Sequence, residues 1–232
     1  MFKNYKNKFK GERCFIIGSG SSLKTEKLED LKNEQIFIVN RAYKALEIGL
    51  PHFDFYVCVD KKVYKDHFAE IQKNSKFPRF YSQTFLETKA YWDGPREKFI
   101  PIYKHASRKE TKFDAFYRGE MPLEYEIGWG KTVTVVVDAI LIAYFMGFKK
   151  IYLLGVDMCV PNISETHFYG DEQRLRGILK EIKQPHFFSF AGLQIIKNLI
   201  TFSKILNFEI INLSQGYTRT DLFRKDVLRN II

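Results

Sequence analysis

The sequence predicts an α/β fold built on a mostly parallel sheet with helices on both faces. Short segments that are almost wholly apolar recur along the chain, and segments with helical character separate them. Strands of a parallel sheet are buried on both faces, so they form apolar runs rather than alternating patterns. The chain has 232 residues, of which 45% are hydrophobic, and this is enough for the core of one large domain.

Strands and helices are predicted in alternation along most of the chain. The predicted strands cover residues 14–18, 35–40, 53–60, 79–82, 99–103, 150–157 and 209–212. The predicted helices cover residues 25–31, 41–48, 63–73, 131–148, 172–182, 191–206 and 221–231. The helix over 131–148 is apolar on nearly all sides, so we expect it to be buried.

We interpret the chain as one nucleotide-binding domain over residues 12–232, preceded by a basic N-terminal arm over residues 1–11. Two stretches without clear periodicity, at about 84–128 and 158–190, are expected to be insertions beside the site, with a lid-like character. The arm carries Phe2, Tyr5 and Phe9 among lysines. These rings allow two interpretations, a frayed terminus or a contact with an anionic membrane surface.

The formal net charge of +10 indicates a polyanionic partner, which could be nucleic acid, an anionic membrane or a phosphorylated ligand. Neither zinc-finger spacing nor an aromatic RNA-binding signature is present, so we expect no nucleic-acid partner. The most apolar later stretch, residues 133–148, contains Asp138 and is shorter than the roughly 20 residues that a bilayer span needs. We therefore expect no membrane-spanning segment.

The cysteines indicate a reducing compartment. Cys14, Cys58 and Cys159 are isolated, without metal-binding spacing, and their odd number argues against a disulfide framework. The N-terminus also lacks the apolar core of a signal peptide. We expect a cytoplasmic protein, and the basic arm leaves open a peripheral contact at the inner membrane.

The first strand is followed by a turn of small residues, which we call the Gly-Ser turn. It comprises Gly18, Ser19, Gly20, Ser21 and Ser22. Glycines let a backbone approach phosphate closely, and serine hydroxyls and helix N-terminal amides can donate to its oxygens. The turn matches neither the P-loop nor the full GxGxxG pattern. It is therefore either a nucleotide-phosphate site or a serine-capped connection.

Three neighbouring strand ends carry side chains that could also bind a nucleotide. Asn40 ends the second strand and could bind a ribose hydroxyl or a base edge. Asp60 and Asp157 end two further strands, where Asp60 could bind a ribose hydroxyl or Mg²⁺. Ligands of such sheets bind beyond the carboxyl ends of the strands, so these residues are expected to converge with the Gly-Ser turn. Each alone could equally be a turn former.

A second candidate anion site precedes the long predicted helix. The sequence "GWGKTVT" puts Lys131, Thr132 and Thr134 at the start of that helix, where a lysine and hydroxyls favour an anion. Thr132 is equally plausible as a simple N-cap.

Acid–base chemistry would fall to residues within the second insertion. His167 and Tyr169 lie in "THFYGDE", and His186 lies in "PHFFSF". Either histidine could act as a general base, although a histidine packed among aromatic rings is the more common case.

Six motifs occur along the chain in a fixed order: "FIIGSGSSL", "IFIVNRAYKAL", "FDFYVCVD", "TVTVVVDAILIAYFMGFKKIYLLGVD", "HFYGDE" and "NLSQGYTRTDLF". Together they resemble the 6-hydroxymethylpterin diphosphokinase MptE-like family, which includes bacterial proteins of surface-polysaccharide biosynthesis. The chain is similar, more distantly, to the bacterial lipooligosaccharide sialyltransferases. That likeness implies a single Rossmann-like domain with a lid.

The sialyltransferase likeness implies an inverting transfer from a CMP-sugar to a glycan hydroxyl in lipopolysaccharide biosynthesis, with no cofactor. It implies that the Gly-Ser turn and Asn40 hold the nucleotide and that His186 or His167 is the base. Met158 replaces a family tyrosine, so Tyr169 or Lys131 would support the leaving phosphate. The expected partners are a nucleotide-sugar donor and a glycan or lipid-linked acceptor.

The pterin-kinase likeness implies a different reaction. It implies Mg²⁺ and ATP, with Asp60 and Asp157 as metal contacts. A third interpretation is a non-catalytic module that binds a nucleotide or a glycan without turnover.

Overall fold

The computed structural model describes residues 2–73, 78–81, 99–101, 134–157, 167–170, 190–215 and 223–232. Its centre is an eight-stranded sheet in the order β5-β4-β3-β2-β1-β6-β7-β8, and every pairing of neighbouring strands is parallel. The strands are β1 Arg13–Ile17, β2 Ile36–Val39, β3 Phe55–Cys58, β4 Arg79–Tyr81, β5 Phe99–Pro101, β6 Lys150–Leu154, β7 Glu209–Asn212 and β8 Arg224–Lys225. The predicted parallel α/β fold is confirmed.

The helices alternate with the strands. The α-helices are α1 Lys61–Asp66, α2 Phe68–Lys73, α3 Val135–Phe145 and α4 Phe190–Ile205. Short 3-10 helices cover Phe2–Tyr5, Ser21–Thr25, Leu28–Asn33, Ala42–Ile48 and Leu228–Asn230. None of the helices in these ranges has the length and apolar character that a bilayer crossing requires.

Both faces of the sheet are covered, as its apolar strands predict. In β1, Cys14 and Ile16 pack into one core cluster with α3, whereas Phe15 and Ile17 pack into a second cluster on the other face. This alternation follows from the two-residue period of a strand. All four side chains are fully buried. The sheet is therefore the middle layer of three.

Helix α3 is the buried helix that the sequence predicts. The Thr134 side chain caps it by accepting from Val136 N–H at 3.4 Å, and every residue from Val135 to Ala143 is buried. Gly147, which follows the helix, has a φ of 99°, a conformation that favours glycine. The predicted start at residues 131–133 lies outside the described residues.

The N-terminal segment packs on the end of α3. Asn7 N–H donates to Phe145 O at 3.0 Å, and Phe9 N–H donates to Met146 O at 2.8 Å. The Phe9 ring stacks on Phe148 at 4.9 Å between centroids, and Tyr5 packs against the same core. The Tyr5 and Phe9 rings therefore contribute to the core and do not form an aromatic surface for a membrane.

The predicted C-terminal helix over 221–231 is wrong. Residues Arg224–Lys225 pair with β7, and only Leu228–Asn230 is helical. Asp226 favours the turn between them because its Oδ1 accepts from Val227 N–H at 2.9 Å and from Asn230 Nδ2 at 2.8 Å. The predicted single helix over 63–73 is likewise two short helices, α1 and α2.

The two predicted insertions fall mostly outside the described residues. The predicted helix over 172–182 does so entirely. From β1 the strands run outward to β5, and the chain returns through α3 to β6 on the other side of β1. The strand order therefore reverses between β1 and β6, where sheets of this type bind ligands.

Candidate functional site

The carboxyl ends of β1 and β6 approach each other more closely than side chains would allow. Gly18 N–H donates to Leu154 O at 2.7 Å, and Gly20 N–H donates to Gly155 O at 2.7 Å. A Cβ on Gly18 would overlap the Gly155 carbonyl oxygen, and a Cβ on Gly20 would overlap the Asp157 carboxylate. Both glycines are therefore required by the contact between the strand ends.

Asp157 directs its carboxylate onto the Gly-Ser turn. Its Oδ2 accepts from Ser22 N–H at 3.0 Å and from the Ser21 hydroxyl at 3.5 Å, and its Oδ1 accepts from the Ser22 hydroxyl. Asp157 is 7% exposed and Ser22 is 5% exposed. A carboxylate of the chain thus occupies donors that a phosphate would otherwise use. These bonds also fix the shape of the turn.

His167 lies against the turn at Ser19. Its Nδ1 is 3.2 Å from Ser19 Oγ and 3.3 Å from the Ser19 carbonyl oxygen. A carbonyl oxygen only accepts, so this contact favours the tautomer with the proton on Nδ1. In that tautomer the lone pair is on Nε2, which suits a general base acting through Nε2. The adjacent Phe168 N–H fixes the loop by donating to Ser19 O at 3.1 Å.

Tyr169 connects His167 with the segment that follows β2. The two rings stack with centroids 5.1 Å apart. The guanidinium of Arg41 lies 4.5 Å from the Tyr169 centroid, and Lys44 Nζ lies 5.8 Å from it. Cations over an aromatic face are attracted by its negative charge. Two positive charges therefore lie against the ring that stacks on the histidine, at the same edge of the sheet as the Gly-Ser turn.

Asn40 directly follows β2 and has an unusual backbone. Its φ is 49°, in the left-handed region that asparagine tolerates better than most residues. Its N–H donates to Val57 O at 3.0 Å, which links the ends of β2 and β3. Its side-chain Oδ1 is buried and has no hydrogen-bond partner. A buried acceptor without a partner is costly, so this oxygen has hydrogen-bonding capacity that the chain itself does not use.

Asp60 and Thr134 serve as helix caps in the structure. Asp60 is exposed, and its Oδ1 accepts from Val63 N–H at 3.2 Å at the start of α1. Thr134 caps α3 as described above. The predicted site residues Lys131, Thr132 and His186 lie outside the described residues.

The described part of the chain shows no group of three or more His, Cys, Asp or Glu residues placed to hold a metal ion. Cys14 and Cys58 are free, buried thiols. Burial raises the pKa of Cys58 to about 12 and raises that of Cys14 as well. Both thiols are therefore protonated at neutral pH.

The sequence-based prediction assigned no role to four further residues at this edge. Arg41 and Lys44 follow Asn40 in "NRAYKAL", where two basic residues close behind a strand end were a usable signal. Asn212 ends β7 and Ser214 follows it two residues later, where Ser214 Oγ accepts from Val156 N–H at 2.9 Å. Their signal was the "NLSQG" motif, which places polar groups directly after an apolar strand.

Comparison with known proteins identifies one family by sequence and several solved structures with a similar fold. The family model for 6-hydroxymethylpterin diphosphokinase MptE-like proteins matches residues 1–162. No curated protein sequence matches the chain.

Among solved structures, the monofunctional alpha-2,3-sialyltransferase Cst-I from Campylobacter jejuni is similar, with a TM-score of 0.60 and 19% identity over 94% of this chain and 81% of that one. The sialyltransferase CstII from the same organism, in complex with the substrate analogue CMP-3FNeuAc, has a TM-score of 0.55 and 15% identity over 92% and 86%. The MAf glycosyltransferase from Magnetospirillum magneticum AMB-1 has a TM-score of 0.58 and 16% identity over 97% of this chain and 37% of that one. At these identities the likeness establishes a shared glycosyltransferase-like fold.

Proposed function

This chain belongs to the 6-hydroxymethylpterin diphosphokinase MptE-like family, and from that premise we propose that it is a nucleotide-sugar glycosyltransferase. It would transfer a sugar with inversion from a CMP-sugar-like donor to a glycan hydroxyl during cell-surface glycan biosynthesis. The observation that carries this proposal is His167, held by Ser19 at the point where the strand order reverses. A fold shared with Cst-I and CstII supports it.

The nucleotide would lie across the ends of β1 and β2. Asn40 Oδ1 is a buried acceptor, so it would bind a ligand donor, such as a ribose hydroxyl or the amino group of cytosine. Ser19 would face the ligand, whereas Ser22 is already bonded to Asp157. Asp157 would therefore act by shaping the Gly-Ser turn, and the phosphate would lie outside the turn.

The transfer needs one base and one stabilised leaving group. His167 Nε2 would accept the proton of the acceptor hydroxyl as its oxygen bonds to the anomeric carbon. The bond from that carbon to the phosphate oxygen would break on the opposite face, and CMP would leave with the electron pair. Arg41 and Lys44, close to Tyr169, would stabilise the charge that develops on the phosphate.

The positive charge of the protein indicates the kind of acceptor substrate. The net charge is +10, and Lys6, Lys8 and Lys10 are exposed on the N-terminal segment. We include in the proposal a glycan or lipid-linked acceptor that is reached from the cytoplasm at an anionic membrane surface. Because Tyr5 and Phe9 are packed inward, that contact would be electrostatic and weakened by salt.

The family description favours a second candidate, a pterin diphosphokinase that uses Mg²⁺ and ATP. The residues proposed for its metal do not fit well. Asp157 accepts from Ser22 N–H and from the two serine hydroxyls, and Asp60 accepts from Val63 N–H. A metal ion would have to displace these donors.

Calorimetric titration with CMP, UMP, GMP and ATP, each with and without Mg²⁺, distinguishes the candidates. The glycosyltransferase proposal predicts binding of CMP that does not require the metal. Binding of Mg²⁺-ATP without any affinity for CMP would overturn it in favour of the diphosphokinase. Binding of CMP with no turnover of any CMP-sugar would instead indicate the non-catalytic module.

The base is tested by substitution. The His167→Ala variant is expected to retain CMP binding and to lose CMP release from a CMP-sugar by a factor of about 100 or more, the range of general-base catalysis. The matched control is His52→Ala, which removes a half-exposed histidine that contacts Glu34 and Asp54. Equal turnover in His167→Ala and wild type, with loss in His186→Ala, would transfer the role to His186.

A further inference from the structure

The motif "NLSQG" at the end of β7 contacts the back of the candidate site. Asn212 Oδ1 accepts from Ser214 N–H at 3.1 Å, and Ser214 Oγ accepts from Val156 N–H at 2.9 Å. Asn212 and Ser214 are 0% and 2% exposed. This short chain of hydrogen bonds therefore lies wholly in the interior, where water does not compete for its donors and acceptors.

Val156 lies between two residues that hold the Gly-Ser turn. Gly155 O accepts from Gly20 N–H at 2.7 Å, and Asp157 accepts from Ser22 N–H at 3.0 Å. The segment 155–157 is thus hydrogen-bonded to the Gly-Ser turn on one side and to Ser214 on the other. Strand β6 ends at Leu154, and Gly155 has a φ of 63°. The pairing of β6 in the sheet therefore no longer fixes the segment 155–157.

We infer that Ser214 is a positioning residue for the Gly-Ser turn. By accepting from Val156 N–H, it fixes the place of the Asp157 carboxylate, and that carboxylate fixes the Ser21 and Ser22 donors. Asn212 in turn fixes Ser214. An effect of Ser214 on nucleotide binding and transfer rests on the proposed function. The coupling between the end of β7 and the Gly-Ser turn can be measured without any ligand.

The unpartnered amide nitrogen of Asn212 supports a specific role. Its Nδ2 is buried and has no hydrogen-bond partner, whereas its Oδ1 is used by Ser214. An apolar residue would avoid the cost of that orphan donor. An asparagine at this position is therefore expected only where the bond of its Oδ1 is needed. Here that bond, from Ser214 N–H, orders the loop between Asn212 and Ser214.

The experiment is amide hydrogen exchange at Ser22, measured by NMR in the full chain. In the Ser214→Ala variant we expect exchange of the Ser22 amide to accelerate by about 10-fold or more, because its acceptor Asp157 is no longer fixed. Amides within β1, such as Ile16, should keep their wild-type rates. The matched control is Ser203→Ala, another buried serine whose hydroxyl donates to a backbone carbonyl, Ile200 O.

The same variants separate this inference from the proposed function. Ser214→Ala should weaken CMP binding by about 10-fold, the value of one hydrogen bond, whereas Ser203→Ala should not. Unchanged Ser22 exchange in Ser214→Ala would overturn the inference, even if wild type binds CMP. Accelerated exchange in a protein that does not bind CMP would uphold the coupling and overturn the proposed function.

A second variant covers the case in which Ser214→Ala does not fold. Asn212→Ala removes the acceptor of Ser214 N–H and should also accelerate Ser22 exchange. Its thermal midpoint should also fall, because the buried Ser214 N–H loses its acceptor, even though the unpartnered Nδ2 of Asn212 is removed at the same time. Wild-type exchange at Ser22 in a folded Asn212→Ala protein would contradict the inference.

Discussion

The two halves of the candidate site differ in how their polar groups are used. At the β1–β6 end, which comprises the Gly-Ser turn and residues 155–157, backbone and hydroxyl donors are bonded to other groups of the chain. At the β2–β3 end, which comprises Asn40, Arg41 and Asp60, Asn40 Oδ1 is buried without a partner and Asp60 is exposed. In the first half the polar groups are bonded within the chain, whereas the second keeps an acceptor that the chain does not use, and there we propose that the ligand binds.

The largest effect is expected from Gly20→Ala. The added Cβ would overlap the Asp157 carboxylate and lie 2.7 Å from Gly155 O, so the strand ends must separate. We expect a loss of about 3 kcal/mol in the free energy of unfolding, the upper part of the range for overpacking. Chemical denaturation measures it.

The control for that prediction is Gly11→Ala. Gly11 has a φ of 85° but open space around it, so only backbone strain of about 1 kcal/mol is expected. Equal losses in the two variants would mean that the close approach of β1 and β6 does not hold the site together.

The next effect compares the two aspartates. In Asp157→Asn, the amide group cannot accept from Ser22 N–H and the serine hydroxyls together, so we expect a loss of about 2 kcal/mol in the free energy of unfolding. In Asp60→Asn the loss should stay below about 0.5 kcal/mol, because asparagine is an equally good N-cap. Urea denaturation of both variants tests this, and a larger loss in Asp60→Asn would reverse the assignment of the rigid half.

Asn40→Gly separates ligand binding from stability. Glycine accepts the left-handed φ of 49° without strain, so the free energy of unfolding should change by less than about 0.5 kcal/mol. The lost Oδ1 acceptor should weaken CMP binding by about 10-fold. Calorimetry and denaturation on the same preparation give both numbers. A stability loss with unchanged CMP affinity would mean that Asn40 serves the fold and not the ligand.

The smallest effect concerns pH at the contact between Tyr43, in the 3-10 helix after β2, and Glu70 of α2. The Tyr43 hydroxyl donates to Glu70, and this bond lowers the pKa of Glu70 below its ordinary value of 4.5. A lowered carboxyl pKa contributes stability that is present above pH 4.5 and is lost as the pH falls through the folded-state pKa. Because Glu70 is exposed, the contribution should be under about 1 kcal/mol.

The variant Tyr43→Phe removes that donor. Its thermal midpoint should lie slightly below that of wild type at pH 6 and should converge with it as the pH approaches 3. A difference that instead grew as the solution became more acidic would contradict the role of the Tyr43–Glu70 bond.

Much of the fold could be predicted because its signal is local. The apolar runs of β1, β2, β3 and β6 mark strands buried on both faces, and Glu209–Asn212 was predicted residue for residue. The C-terminal helix failed for an equally local reason that periodicity does not detect. Asp226 bonds to Val227 N–H and Asn230 Nδ2, and these bonds compete with helix formation.

The site could be predicted only in part. Asn40 and Asp157 could be selected as candidates because parallel strands bring their carboxyl ends together. That Asp157 would bond to Ser22, 135 residues earlier, and His167 to Ser19, 148 residues earlier, depends on loop geometry that no spacing encodes. The same holds for Ser214, whose partner is a backbone amide of another strand end.

The central claim is that a nucleotide binds across the β1 and β2 ends, and mapping amide chemical shifts during a titration with CMP tests it most directly. We predict that the shifts concentrate at Ser19, Asn40, Arg41 and His167, without Mg²⁺, and leave the N-terminal segment around Phe9 unchanged. Shifts confined to other parts of the chain would contradict nucleotide binding at this place, and so would the absence of any response to CMP when Mg²⁺-ATP shifts these same amides.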